Sequence, residues 1–266
     1  RNIRLLTAGS KIMHSSSMLK GGPEVRPPHD PYSLRCTPQV LGAARDAVSY
    51  VRRVIETEIN SAIDNPLVFV EDREFLSGGN FLGQPISVAM DLLSIALTVV
   101  GNISERRIAR LVDENLSLGL PAFLIHREVE KGIHSGFMSA QITAAALASE
   151  NKALAHPASV DSIPTEANFE DFVSMGSIAA RKTWEILRNV ELIVAIELLC
   201  AAQGMDHRGA SRAGEGTRAA HSLIRKKVSI LKEDRVLSKD IEAIVGLIRS
   251  GDIVDSVERV MKSKLI

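Results

Sequence analysis

From Leu92 to Ser104 the chain runs thirteen residues without a charge, inside a longer helical pattern spanning residues 83–115. A helix of that length reaches roughly 50 Å at 1.5 Å per residue. The uncharged run is too short to cross a bilayer, which takes about 20 apolar residues. It is apolar on nearly every side, so the pattern predicts a helix buried along its first half. The second half, from Glu105-Arg106-Arg107 onward, reads as polar. On that expectation Leu93→Ala costs about 2–5 kcal/mol.

A core helix this long has to be covered, and the rest of the chain supplies helices to do it. Val40, Leu41, Ala44, Val48, Val51, Ile55, Ile59 and Ile63 recur at three- and four-residue spacing, with Arg45, Arg52, Arg53 and Glu56 on the other face. This predicts a helix over 37–63. Thr37 is its expected N-cap, Pro38 its first helical residue, and Asp64-Asn65-Pro66 its end. Further helices are predicted over about 136–155, 172–205, 215–232, 238–249 and 252–265, with a short one within 1–13. Ser238 and Asp252 are candidate N-caps and Gly251 a break between the last two. Residues 67–70 are the one candidate strand. Residues 14–31, rich in Ser, Gly and Pro, read as a mobile loop. Only 4% of residues are aromatic, with one Trp and two Tyr, which favours helix on helix over a β-sandwich. The expected fold is all-α, a long-helix bundle with very little strand.

Composition excludes several functions. Lys+Arg and Asp+Glu are both 32, so no net charge draws the chain to nucleic acid or an anionic membrane. Cys36 and Cys200 form no disulfide framework or cysteine metal site, and fit a reducing cytoplasm. The seven histidines lack ligand spacing, so no metal is expected. No signal peptide is visible. The first residue is Arg1 rather than Met, which suits a processed product, a split subunit or an incomplete chain.

Three loops carry unusual polar content. The first reads His29-Asp30-Pro31-Tyr32-Ser33-Leu34-Arg35-Cys36. Pro27, Pro28 and Pro31 oppose a helix there, so an extended loop is predicted that delivers Tyr32 and Arg35 to one place. Arg can grip a carboxylate through two parallel hydrogen bonds, and Tyr can exchange a proton if its pKa is lowered. The second, Ser77-Gly78-Gly79-Asn80-Phe81, reads as a tight turn, with Asn80 a turn residue and Phe81 a core aromatic. The third, residues 161–176, holds Glu166, Glu170 and Asp171 within six residues. Burial or mutual repulsion could raise the pKa of one of them for acid/base work. Asp171 reads more simply as favouring the N-terminus of the next helix, and Glu170 stays open between the two.

Four stretches, DPYSLRCTPQVLGAARD, SGGNFLGQP, SERRIARLVDENLSLGLPAFL and PASVDSIPTEANFEDFVSMGSIAARK, resemble in this order the aromatic amino acid ammonia-lyase family, most closely its histidine lyases. The resemblance extends with gaps over residues 1–207. It implies an all-α bundle and a homotetramer whose active sites borrow residues from several subunits. The implied reaction removes ammonia from histidine to give urocanate, without oxidation. The family's electrophile is a methylidene-imidazolone ring made from Ala-Ser-Gly, with no metal. That triplet does not occur in this chain. Residues 1–266 therefore resemble the C-terminal portion alone, which is expected to need the N-terminal portion and to be inactive without it. Cut from that partner, helices this apolar are expected to expose large patches, so the chain should be soluble only as an oligomer or with its counterpart.

Carried over by resemblance, Tyr32 matches the family's loop tyrosine, which serves as acid or base. Arg35 matches the arginine that holds the substrate carboxylate, and Phe81 a phenylalanine near the electrophile. Glu170 matches the glutamate of histidine lyases, where phenylalanine and tyrosine lyases usually carry Gln. His29, Asn80, Glu166 and Phe169 are the implied substrate-binding neighbours. Some positions depart from the histidine pattern. Phe169 replaces a polar residue, Phe172 a His, and His29 a Gln; Glu166 stands where plant phenylalanine lyases have a glutamate. These changes make the pocket more apolar. Alternatives are a phenylalanine or tyrosine ammonia-lyase or aminomutase, or a non-catalytic assembly subunit of the same fold. The fumarase and aspartase class is helical too, but its Ser-rich signature is only faintly echoed at 15–18.

Overall fold

The structure, a computed structural model, describes residues 1–11, 29–129 and 132–265. Ile12 and the predicted mobile loop, as far as residue 28, lie outside these. The described residues form nine α-helices: α1 (Asn2–Thr7), α2 (Tyr32–Arg35), α3 (Thr37–Ile59), α4 (Gln84–Val112), α5 (Met138–Leu154), α6 (Gly176–Arg208), α7 (Glu215–Lys227), α8 (Ser238–Ser250) and α9 (Asp252–Met261). Among the described residues strand is confined to an antiparallel hairpin of β1 (Leu67–Phe69) and β2 (Glu74–Leu76), with Val68 opposite Phe75. The all-α expectation holds. The candidate strand at 67–70 is β1; its partner β2 was not foreseen.

The chain divides into two compact units. The first comprises Arg1–Arg35, Ile103–Leu147 and Glu191–Ile266. Ile108, Leu124, Ile193, Ile196 and Ile244 are its most deeply buried large side chains. Glu191 and Glu197 of α6, each withdrawn from solvent, find partners on different helices. Glu191 accepts from Arg249 of α8, at 3.0 Å from Nε and 2.6 Å from Nη2. Glu197 accepts from Arg107 and Ser104 of α4. Cys200 is buried; burial, and then the Glu197 carboxylate, push its thiol far above the usual range, which makes it inert.

Gln203, also fully buried, holds a turn that local preference does not. Its Nε2 donates to the Leu124 and Leu231 carbonyls at 3.2 and 2.9 Å, and its Oε1 accepts from the Leu231 amide at 3.1 Å. Phe123 and Leu124 are both left-handed, with φ of 51° and 56°. Gly136 lies against them: a Cβ there would sit 2.5 Å from the Phe123 carbonyl oxygen. Gln203→Leu strands buried backbone groups and is expected to cost about 1–3 kcal/mol in a denaturant titration. A loss within experimental error would mean that packing alone holds the turn.

The second unit comprises Cys36–Asn102 and Ala148–Val190. Ala44, Ala89, Ala96, Ala148 and Ala179 are buried there; side chains this small let helices approach closely. The first half of α4 is not buried on every side as expected. Its inward stripe is polar, with Ser87, Asp91, Ser94 and Thr98 all buried, while Val88, Ile95 and Val99 are exposed. Partners explain the inversion. Ser94 shares a 2.8 Å hydrogen bond with Thr183, Thr98 donates to the Asn151 carbonyl, and Asp91 Oδ2 accepts from the Ser159 amide at 2.7 Å. Leu93 is only half-buried, so Leu93→Ala should cost less than the full core value. α4 is long and apolar enough to cross a membrane, yet half of its apolar window is buried. The bonded Asp91 on that buried face marks a core helix.

Several helix ends differ from expectation. Thr37 is the first residue of α3, with Cys36 as its N-cap. Ser238 and Asp252 are likewise first helical residues, after Leu237 and Gly251. Gly251, with φ of 78°, ends α8 and opens α9, the break that was predicted. α6 starts at Gly176, so Asp171 lies outside its first turn and does not stabilise it there.

Candidate active site

Residues 32–35 form one helical turn, not an extended loop. The Pro31 carbonyl accepts from the amides of Leu34 and Arg35, both at 3.0 Å. Proline opposes a helix interior, but ahead of the first turn its missing N–H costs nothing. The turn sets Tyr32 and Arg35 three residues apart on one face. The Arg35 guanidinium carbon lies 5.0 Å from the centre of the Tyr32 ring, a cation–π contact. Tyr32 is 70% exposed, and Arg35 is exposed beside it. Beneath them Arg107 Nη1 reaches the Ser33 carbonyl at 3.4 Å. Glu197 holds that guanidinium through Nε and, at 2.8 Å, through Nη2; it also accepts from Ser104 at 2.5 Å. His29 is exposed on the bend before the turn. All these residues belong to the first unit.

The remaining candidates belong to the second. The turn at Gly79–Leu82 closes with a 3.0 Å backbone bond, and Asn80 Nδ2 donates to the Ala62 carbonyl at 3.3 Å. Phe81 is 54% exposed at this turn, not the core aromatic that was expected. The loop after α5 is closed by a backbone pair between Thr165 and Glu170, at 2.8 and 3.3 Å. The Thr165 hydroxyl also donates to Glu170 Oε2 at 2.5 Å. Between them Glu166, Ala167 and Asn168 are all left-handed, with φ of 47°, 53° and 71°. Such residues cost on the order of 1 kcal/mol each and persist only where the surroundings hold them. The carboxylates of Glu166, Glu170 and Asp171 are exposed, not a buried cluster. Phe169 is 87% exposed and Phe172 about half.

The two loops of this unit lie side by side. A Cβ on Gly176 would fall 3.6 Å from the Gly83 carbonyl oxygen, and one on Gly83 would fall 3.4 Å from Ser174 Oγ. The turn bearing Phe81 and the end of the loop bearing Glu170 therefore meet. Gln84, Asp91, Arg107, Thr165, Lys182 and Glu197 support these elements, and the sequence pattern assigns none of them that role. The available signal was a lone carboxylate, Asp91, at the edge of an uncharged run. Among the described residues no group of three His, Cys, Asp or Glu side chains is arranged to hold a metal.

The sequence profile of the aromatic amino acid lyases matches residues 1–226. A histidine ammonia-lyase from Symbiobacterium thermophilum is 51% identical over 98% of this chain and 49% of its own length. The crystal structure of histidine ammonia-lyase from Trypanosoma cruzi superposes with a TM-score of 0.82 at 47% identity, covering 87% of this chain and 45% of that one. Tyrosine aminomutase from Streptomyces globisporus superposes with a TM-score of 0.88 at 37% identity, over all of this chain and 52% of that one. The chain spans about half the length of the curated relatives it matches. A profile match across most of the residues and a half-identical relative across nearly all of them establish that the chain belongs to the aromatic amino acid lyase family.

Proposed function

We propose that residues 1–266 are the C-terminal portion of an ammonia-lyase that converts histidine to urocanate. The observation that carries this reading is the shared face of Tyr32 and Arg35, where an exposed guanidinium lies over a phenol ring. Arg35 grips the substrate carboxylate with two parallel bonds. Tyr32 exchanges the proton as the Cα–N and Cβ–H bonds break, a double bond forms and ammonia leaves. Glu170 accepts from the imidazole N–H, steadied by the Thr165 hydroxyl. His29, Asn80, Glu166 and Phe169 complete the substrate surroundings.

The methylidene-imidazolone electrophile of this family makes the amino group a good leaving group. This chain contains no Ala-Ser-Gly from which to form it. The side chain suited to lie against such a planar ring is Phe81, half exposed at its turn. The N-terminal portion that bears the electrophile is thus one partner. Further copies are others, in a homotetramer: Val48, Val88, Ile95 and Val99 leave an apolar surface that assembly would cover. Two free cysteines fit a cytoplasmic setting.

The histidine relatives and Glu170 support an imidazole substrate. Phe81, Phe169 and Phe172, all exposed, favour a plain aromatic ring, as does the likeness to an aminomutase. A bound substrate would cover Glu170, and a carboxylate covered by a plain aromatic ring loses more than one aromatic contact gains, so histidine ranks first. The test is kcat/KM for histidine, phenylalanine and tyrosine, side by side, with the chain co-expressed with the electrophile-bearing portion. Glu170→Gln should lower the histidine value about 10- to 100-fold and the others far less. Faster turnover of phenylalanine or tyrosine by the wild type, or an unchanged ratio in Glu170→Gln, would replace histidine as substrate. No turnover of any of the three would favour the assembly-subunit reading.

A further inference from the structure

The loop that carries Glu166, Phe169 and Glu170 is held at its root by three side chains from two helices. Both backbone polar groups of Ser159 are clamped: its amide donates to Asp91 Oδ2 at 2.7 Å, and its carbonyl accepts from Gln84 Nε2 at 3.1 Å. Gln84 and Asp91 stand seven residues apart on α4, two turns along one face. From α6, Lys182 donates to the His156 carbonyl, and its Nζ lies 3.7 Å from Asp91 Oδ1. Asp91 is 3% exposed. A carboxylate that deep is costly unless paired, and the partners it has here, the Ser159 amide and Lys182, both bear on the root of the loop. Farther along, Ser162 Oγ accepts from the Val173 amide at 2.9 Å, tying the two arms of the loop together.

We infer that Asp91, together with Gln84 and Lys182, is a positioning device that sets where Glu170 meets the substrate. The inference rests on the proposed role of Glu170. Three consecutive left-handed residues at 166–168 are not held by local preference; the Thr165–Glu170 pair closes the loop on itself, and the root ties that closed loop to the helices. Asp91 supplies that tie. Its charge orients Lys182 toward His156 while its other oxygen orients Ser159, so two points of the loop are set by one carboxylate. Displacing the root by an ångström moves Glu170 relative to an imidazole held by its carboxylate, and loses orientation without removing any group that touches substrate.

The test joins hydrogen exchange to a double-mutant cycle in the co-expressed assembly. Asp91→Ala should speed amide exchange across residues 159–170 about tenfold or more, leaving the middle of α6 unchanged. It should lower kcat/KM for histidine about 100-fold. In the Glu170→Gln background the same change should cost little more, because its effect passes through Glu170. Gln84→Ala removes only the Ser159 carbonyl's donor and keeps the ion pair, so it serves where Asp91→Ala does not fold. It should give a smaller effect of the same pattern. Unchanged loop exchange in a folded variant, or losses that add fully to those of Glu170→Gln, would overturn the inference. If Glu170→Gln alone leaves histidine turnover intact, the proposed role of Glu170 fails, and the exchange data still decide whether the clamp holds the loop.

Discussion

Replacing Arg35 with lysine is expected to lower kcat/KM of the assembled enzyme about 100-fold or more, nearly as much as replacing it with alanine. The substitution keeps the positive charge, so a role based on charge alone predicts a mild loss. Geometry predicts the severe one. A guanidinium offers two parallel N–H donors to both oxygens of a carboxylate, and an ammonium offers one point of contact. Lysine also gives up the guanidinium's cation–π contact with Tyr32, in which the guanidinium carbon lies 5.0 Å from the ring centre. Both the clamp and the proton-exchanging phenol lose their reference. Arg35 is exposed, so the folded state should change by no more than about 0.5 kcal/mol, which separates a catalytic defect from a folding one. The measurement is steady-state kinetics beside a thermal melt of the same preparations. A lysine variant with near-normal kcat/KM would remove the carboxylate-clamp role.

The long helices were legible because each carries its own apolar period. α3, α4 and the three C-terminal helices begin and end within a few residues of where spacing, proline and glycine put them. What the sequence hid was whatever depends on a distant partner. The inward stripe of α4 looked apolar by content, yet Ser87, Asp91, Ser94 and Thr98 fill it. Thr183, the Asn151 carbonyl and the Ser159 amide, partners of the last three, lie more than fifty residues away. The turn at 32–35 departs from the extended loop that its prolines predict because proline breaks a helix interior but initiates a first turn. Asp171 was assigned to a helix start that falls five residues later, behind a loop whose left-handed run no propensity foretells. The chemistry at Tyr32, Arg35 and Glu170 was legible as residue types and motif. The supports beneath them were not, since they join helices rather than neighbours.

The support beneath Tyr32 and Arg35 leads to the other large effect. Glu197→Ala should destabilise the chain by about 3–5 kcal/mol, because it leaves the Arg107 guanidinium and the buried Ser104 hydroxyl without their acceptor. Arg107 and Glu197 are both mostly withdrawn from water, with side chains 17% and 19% exposed, so solvent replaces the lost partner poorly. Glu197→Gln keeps an acceptor oxygen and should lose less. Cys200 offers a convenient probe, since its buried thiol should label only on opening and then at a rate that reports stability. The decisive variant is the double replacement Arg107→Met with Glu197→Leu. Swapping a buried ion pair for apolar side chains of similar size is often neutral, so the part of the stability that the pair accounts for should return, less what the buried Ser104 hydroxyl still loses with its acceptor. Activity should not return with it. Without Arg107 the Ser33 carbonyl loses that guanidinium as a donor, and the contact it makes between α4 and the turn that aligns Tyr32 with Arg35 is gone. Restored stability with restored kcat/KM would mean that the ion pair only fills the core. Restored stability with kcat/KM still depressed would show that the pair is retained because it aims the turn.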